Sequence, residues 1–260
     1  MFKNYKIDHT QVLHKNFTVV NNQYSKINHL DYYFHLYIDN VHESDISKMF
    51  DEGFLPDFWE SHFTYSDKTK WKNIRSTRLN LKNKTFEDFK PSNYTNRLNR
   101  IKKNDIVFCD SNTPIISLPK IQSQINNVWL AYCDYKDFVN EGEFEDFHLN
   151  LDTFTYYFAL NPNNRLEAFS ITYQNENIFY IIEQCWNYLK PQLSILRYLL
   201  LHKIQACIES KIDFLYLGEG YFENCLYKSE LPYFEWWTGQ DWSSDKEKYN
   251  SLCKLDGVIQ

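Results

Sequence analysis

The chain has 260 residues, 43% of them apolar and 24% charged, with a net charge of −6. That length and apolar fraction suit one large domain or two small ones and exclude a disordered chain. No apolar run approaches the length of about 18 residues that a spanning helix needs, and the N-terminus MFKNYKIDHTQVLHKNF lacks a signal-peptide core, so no membrane partner and a cytoplasmic location are the expectations. The charge is uneven. Between Lys68 and Lys103 stand twelve Lys and Arg residues against Glu87 and Asp88, a net +10 that leaves −16 on the rest of the chain. Such segregation reads either as a salt-sensitive surface for a polyanion or as a solvated basic face. The aromatic fraction of 18% accompanies abundant Asn, Lys and Ile, a pattern that codon bias also produces. Six widely spaced cysteines form neither CxxC nor a Cys/His ligand pattern, so no metal is expected and packed free thiols are.

In chain order, residues 1–30 show no strong period and read as an arm or short strands. Tyr32–Ile38 reads as an aromatic strand. Ser44 is placed to cap a short helix that ends at Gly53. Phe63–Tyr65 and Ile74–Leu81 read as strands, the second with polar and apolar groups on both faces. Ser92, after Pro91, is placed to cap a helix that aligns Asn93, Arg97 and Arg100 on one polar face. Residues 112–125 read as loop, with Pro114 and Pro119, and Trp129–Asn140 as helix. Phe154–Leu160, Leu166–Tyr173 and Ile178–Glu183 read as three strands of a meander, joined through Asn161-Pro-Asn-Asn164 and residues 174–177. A long helix over 194–210 follows, with Leu193, Leu196, Leu200, Ile204, Cys207 and Ile208 as its buried stripe. Phe214–Leu217 is the next strand and breaks at Gly218 and Gly220.

Strand, strand, strand, helix, strand gives an α+β fold with a mixed sheet flanked by helices. The order resembles the centre of the acetyltransferase-like (GNAT) superfold. The expected division is a smaller N-terminal α/β subdomain over 1–110, carrying the basic surface, and a GNAT-like domain over 111–260. The stretch from Phe214 to Trp242 has the layout of a site built at a strand end, with a glycine break followed by Cys225, Tyr227-Lys228 and an aromatic cluster.

Those residues resemble the aminoacyl-tRNA–protein transferases, the arginyl and bacterial leucyl enzymes. The likeness lies in Leu215-Tyr-Leu-Gly218, Tyr221, Cys225, Tyr227-Lys228, Pro232 and Gly239-Gln-Asp-Trp242. Gln192-Leu-Ser-Ile195, Gly53-Phe54 and Phe89 with Ser92, Arg97 and Arg100 extend it upstream. The chain departs from the pattern where a cysteine cluster belongs between about Tyr65 and Ile74, in Glu219 after Gly218, and in the short Cys225-Leu226. The resemblance implies attack by an amine, such as a protein or peptide N-terminus, on the ester of an aminoacyl-tRNA, which serves as co-substrate without a further cofactor. A monomer is expected.

That reaction needs a base for the amine proton and donors for the oxyanion. Glu219 and Glu223 are the candidate bases, set against a reading as exposed loop carboxylates. Tyr227 and Lys228 are candidate donors, set against an ordinary surface lysine. Tyr216, Gly218, Tyr221, Cys225, Trp237 and Trp242 are the expected substrate-binding residues. For Cys225 a nucleophile is weighed against a packed thiol. Trp236, Trp237 and Trp242 are weighed between stacking on an adenine and closing the core. Arg75, Arg78, Arg97, Arg100 and Lys102 are the expected tRNA contacts. Two rival readings remain. One is an acyl-CoA N-acyltransferase, disfavoured because residues 189–197 lack the glycines that cradle pyrophosphate. The other is a non-catalytic RNA-binding relative.

Overall fold

A computed structural model describes residues 18–23, 35–39, 41, 43–57, 70–111, 119–136, 144, 154–175, 177–189 and 191–256. In chain order its strands are β1 (Thr18–Gln23), β2 (His35–Asp39), β3 (Phe54–Asp57), β4 (Lys70–Asn73), β5 (Ser76–Asn80), β6 (Val107–Ser111), β7 (Phe154–Leu160), β8 (Leu166–Asn175), β9 (Ile178–Trp186), β10 (Phe214–Glu219), β11 (Phe234–Trp237) and β12 (Trp242–Ser243). The helices are α1 (Ile46–Asp51), α2 (Tyr94–Lys103), α3 (Pro119–Lys136), α4 (Ile195–Glu209), α5 (Leu226–Ser229) and α6 (Lys246–Asp256). The fold is α+β, with a large mixed sheet flanked by helices.

Two compact units make up the chain, Met1–Asn80 with Tyr216–Gln260, and Leu81–Leu215. They do not follow the expected division at residue 110. The first unit is discontinuous because β11 returns to pair antiparallel with β5, Phe234 opposite Leu79 and Trp236 opposite Thr77. Pairing between strands this far apart in sequence has no local signature.

In the first unit, β1-β2-β4-β3 form a four-stranded antiparallel sheet. Helix α1 buries Ile46, Met49 and Phe50, the face expected from its spacing. Its cap is Asp45 rather than Ser44, because a 3-10 turn over Glu43–Asp45 precedes it. The expected strand over Phe63–Tyr65 lies outside the described residues. The unit's strands of the larger sheet run β12-β11-β5-β10. β5 explains its own mixed pattern. Residues Ser76 to Leu79 are all buried, and each polar one has a partner. Ser76 Oγ donates to the Gly53 carbonyl at 2.6 Å and Thr77 Oγ1 to the Gly218 carbonyl at 2.7 Å. A strand buried on both faces tolerates polar side chains only when they are satisfied.

In the second unit the strand order is β9-β8-β7-β6, antiparallel throughout. The turn from β7 to β8 is built by Asn161, whose Oδ1 accepts from the backbone N–H groups of Asn163 at 2.9 Å and Arg165 at 3.1 Å. Asn164 takes the left-handed conformation at φ 56°, which asparagine tolerates better than most residues. β8 and β9 extend beyond the expected ends, to Asn175 and Trp186. Residues 119–125, expected as loop, begin α3 instead. Pro119 stands at the first helical position, where its missing N–H costs nothing. The residues beyond Lys136 to Asn140, expected as helix, are not described. Helix α2 begins at Tyr94 with Asn93, not Ser92, at its cap. Helix α4 buries Leu199, Leu201 and Lys203 beside Leu200, Ile204 and Cys207, so its covered surface is wider than one stripe. Leu196 and Ile208, expected in that stripe, are half-buried.

Among the described residues no helix is long and apolar enough to cross a membrane, and no cluster of His, Cys, Asp and Glu is built to hold a metal. All six cysteines are free thiols, four buried and two half-buried.

Candidate active site

From Tyr216 onward the C-terminal motif belongs to the first unit. Its backbone frame is the end of β10. Gly218 turns left-handed at φ 84°, and its carbonyl is held by Thr77. Gly220 N–H then donates to the Arg75 carbonyl at 2.8 Å. A Cβ at Gly220 would come within 2.7 Å of the Thr77 methyl and 2.8 Å of the Tyr249 ring, so only glycine fits this close approach. Two residues on, Phe222 holds φ 61° and ψ 165°, a region that is essentially restricted to glycine and costs on the order of 1–3 kcal/mol. Strain of that size persists only where surrounding contacts impose it. Here Asp256 Oδ2 accepts from the Phe222 N–H at 3.4 Å.

Arg75 anchors the same turn. Its guanidinium donates to Asp256 at 2.7 Å and to the Gly220 carbonyl at 3.2 Å, and lies 4.8 Å from the Tyr221 ring centroid. Its backbone N–H donates to Tyr221 Oη at 2.5 Å. Arg75 and Asp256 are 6% and 1% exposed. A phosphate contact was expected of Arg75. The structure gives it a buried ion pair instead. Arg78 shares that correction. It is 7% exposed, donates through Nε to Glu235 at 2.8 Å, and lies 3.9 Å over the Trp242 ring.

Around Arg78 the structure gathers a polar and aromatic cluster. Tyr216 Oη lies 3.5 Å from Asp51 Oδ1, and the Arg78 guanidinium is 3.8 Å from that same carboxylate oxygen. Trp242 donates through Nε1 to the Asp51 carbonyl at 2.7 Å. Asn80 donates to the second oxygen of Glu235 at 2.9 Å. Burial pushes the Tyr216 phenol well above its ordinary range, so it serves as a neutral hydrogen-bonding group. Of the three tryptophans, Trp236 and Trp237 are buried and belong to the core. Trp237 Nε1 donates to Asn73, and its ring fills the space beside Gly53, where a Cβ would sit 2.3 Å away. Trp242 is half-buried, with Arg78 over its ring and Trp237 5.6 Å away.

Lys228 was expected to reach the reacting group. It is instead buried on α5, and its ammonium donates to the carbonyls of Leu217 at 2.8 Å and Glu219 at 2.5 Å. Burial alone favours the neutral amine, but Cys225, Tyr227 and Glu219 outweigh it and raise the affinity for the proton. The charge therefore lies directly behind the strand end, spent on two backbone acceptors. Lys228→Ala is expected to destabilise the fold by about 1–3 kcal/mol, the cost of unmatched buried carbonyls. Urea unfolding checks this, and a variant as stable as the parent would remove Lys228 from the frame.

The remaining candidates face solvent. Glu219 and Glu223 are exposed, Glu219 3.9 Å from Lys72 Nζ, and Tyr227 is exposed on α5. Cys225 is half-buried with Sγ 3.6 Å from the Glu219 carbonyl, the position of a packed thiol. Arg97, Arg100 and Lys102 lie on α2 in the second unit. The five expected tRNA contacts thus fall into two groups, two buried in ion pairs and three on α2, where Arg100 and Lys102 are exposed and Arg97 is half-buried.

Sequence reasoning missed Asp51, Glu235 and Asp256. Asp51 stands two residues before the Gly53-Phe54 pair, which was a usable signal. Glu235 and Asp256 gave none, since their arginine partners are 157 and 181 residues away.

No family model matches the chain, and no curated protein matches its sequence. Among solved structures, the C-terminal domain of a protein named as a lysylphosphatidylglycerol synthetase, from Agrobacterium fabrum, is 11% identical with a TM-score of 0.45, over 85% of this chain and 62% of that one. L-PGS from Bacillus licheniformis is 12% identical with a TM-score of 0.43, over 83% of this chain and 64% of that one. FemX is 6% identical with a TM-score of 0.42, over 71% and 63%. The chain spans less than two thirds of the length of each, and none of the three is named as an arginyl- or leucyl-tRNA–protein transferase.

Proposed function

We propose that the chain transfers an amino acid from an aminoacyl-tRNA to an amine acceptor, with a protein or peptide N-terminus as the acceptor. The observation that carries this reading is the end of β10. There the motif residues Tyr216, Gly218, Tyr221 and Lys228 form one frame, stiffened by the ammonium of Lys228 on two carbonyls, while Glu219, Glu223 and Tyr227 stay exposed beside it.

The chemistry asks little of the protein beyond placement, because the ester is already activated. The acceptor nitrogen attacks the ester carbonyl carbon and forms the new C–N bond. Glu219 or Glu223 takes the ammonium proton, and Tyr227 donates to the oxyanion. Collapse of the tetrahedral intermediate breaks the C–O bond, and the proton passes to the departing ribose oxygen. The products are an amide and free tRNA. Trp242, half-buried with Arg78 stacked on its ring, is the aromatic group proposed to meet the terminal adenine.

A CoA donor is the second reading. It is disfavoured at the start of α4, where Ser194 occupies a left-handed position at φ 51° and no glycine opens the backbone amides to a pyrophosphate. The deciding experiment incubates the protein with a pool of radiolabelled aminoacyl-tRNAs, in parallel with radiolabelled acyl-CoA, and candidate amine acceptors. Label is expected to move from tRNA. Transfer only from acyl-CoA, or tRNA binding with no transfer, would overturn the reading in favour of one rival or the other.

A further inference from the structure

The second unit holds a group of arginines from two helices. Arg97 and Arg100 lie on α2, whose last turn also carries Lys102 and Lys103. Arg197 lies in the first turn of α4, which has no acidic residue. The two helices meet here. Residues Pro191–Leu193, which lead into α4, pack on α2, and α4 packs on Phe86–Phe89. Tyr94 of α2 and Tyr198 of α4 stack with centroids 6.0 Å apart and planes at 8°, their hydroxyls 3.5 Å apart. Phe108 closes on Tyr198 at 4.9 Å.

Two features of this group are unfavourable in the protein alone. Arg97 Nη1 is shielded from water and has no hydrogen-bond partner among the described residues. An unmatched guanidinium N–H out of water carries the desolvation cost without its return. Arg97 also stands in the positive field of its neighbours. Its hold on the proton is weakened first by burial of the guanidinium and then by Arg197 and Arg100. An arginine in the first turn of a helix adds to the repulsion, because that end carries positive partial charge. A surface that breaks local rules in this way is a candidate for function.

We infer that Arg97, Arg100 and Arg197 form a phosphate-binding site on the second unit that takes a backbone phosphate of RNA. An anion with several acceptor oxygens supplies what is missing. It gives Arg97 Nη1 an acceptor, it screens three like charges, and guanidinium forks match phosphate geometry. The choice of RNA over a single carboxylate rests on the surrounding charge. Within residues 82–103 lie seven Lys and Arg against Glu87 and Asp88, and Arg197 adds an eighth cation from α4. That many cations suits a polyanion with regularly repeated charges. This inference rests on the tRNA-donor reading and adds Arg197, which no sequence motif suggested.

The test uses the full chain and deacylated bulk tRNA, read by fluorescence anisotropy across about 50–200 mM salt. Arg197→Ala is expected to weaken binding about tenfold and to reduce the salt slope by about 1. Lys254→Ala, an exposed residue on α6 of the first unit, is expected to bind as the parent does. Thermal melting of Arg197→Ala shows that the variant is folded before its binding is read. Should it fail to fold, Arg197→Gln gives the same binding readout. Parental affinity and slope in the variant would overturn the site. Displacement of the tRNA by polyglutamate at equal charge would also overturn it, in favour of an acidic peptide. Because the tRNA carries no amino acid, the result is independent of transfer. Loss of binding in the variant, with no transfer by the parent, keeps the site and discards the enzyme.

Discussion

Replacing Asp256 by alanine is expected to destabilise the protein by about 3–5 kcal/mol, the range for leaving one member of a buried ion pair without its partner. The Arg75 and Asp256 side chains are 5% and 1% exposed and 2.7 Å apart. Removing the carboxylate leaves the guanidinium buried with the Gly220 carbonyl as its remaining acceptor among the contacts described above. It also releases the Phe222 N–H, and with it one of the contacts that hold a strained backbone. The loss should therefore appear twice. Urea unfolding should show the drop in stability, and transfer activity should fall further than stability alone explains, because the turn carrying Glu219, Tyr221 and Glu223 loses its anchor. Asp256→Asn keeps an acceptor and should lose less. An Asp256→Ala protein within about 1 kcal/mol of the parent would mean that the turn is held from elsewhere.

A second large effect is expected at Lys203, which no step of the proposed reaction uses. The residue is fully buried on α4, and its amine donates to Ser170 Oγ at 2.8 Å and Gln184 Oε1 at 3.2 Å. Burial lowers its pKa from 10.5 to about 7 and outweighs the opposing effect of Cys207 on the next turn of the helix. The folded value lies below the unfolded one, so between pH 7 and 10.5 the unfolded chain binds the extra proton. Stability from this group then rises with pH by about 1.4 kcal/mol per unit and totals on the order of 4 kcal/mol. Other groups oppose it. Burial raises Cys207, Cys185 and Tyr157 above their ordinary values, and what they contribute is lost as pH rises. The difference between the parent and Lys203→Met isolates the lysine. That difference should shrink steadily from pH 7 to pH 10. A constant difference across the range would show that the folded amine holds its proton as firmly as the unfolded one, as it would if it reached water.

Both effects arise from residues that the sequence did not single out, and the reason is the same. Lys203 falls among the apolar positions of α4, and a helical pattern marks it as a break in the stripe. Only the packing of α4 over β8 and β9 shows that a hydroxyl and an amide wait for it there. Arg75 and Arg78 were legible as basic residues in a basic segment, which suggested phosphate. Charge counting along the chain cannot see that Asp256 and Glu235 return to them from the far end. Of the polar face expected from spacing, Asn93 became the cap of α2, Arg97 is half-buried and Arg100 is exposed.

The sequence by itself determined the elements that local physics controls. These are the β7–β8–β9 meander with its asparagine turn, the long helix α4, the strand ending at Gly218, and the location of the motif residues at that strand end. Turn chemistry, capping and periodicity act over a few residues, so a linear reading reaches them. The tertiary structure decided which charged groups face water and which are consumed inside. Lys228 became a clamp on the strand end, Trp236 and Trp237 became core, and the C-terminal segment joined the N-terminal one in a single unit. Each of those outcomes depends on partners brought together from distant parts of the chain, and burial converts a surface charge into a structural one only once those partners have arrived.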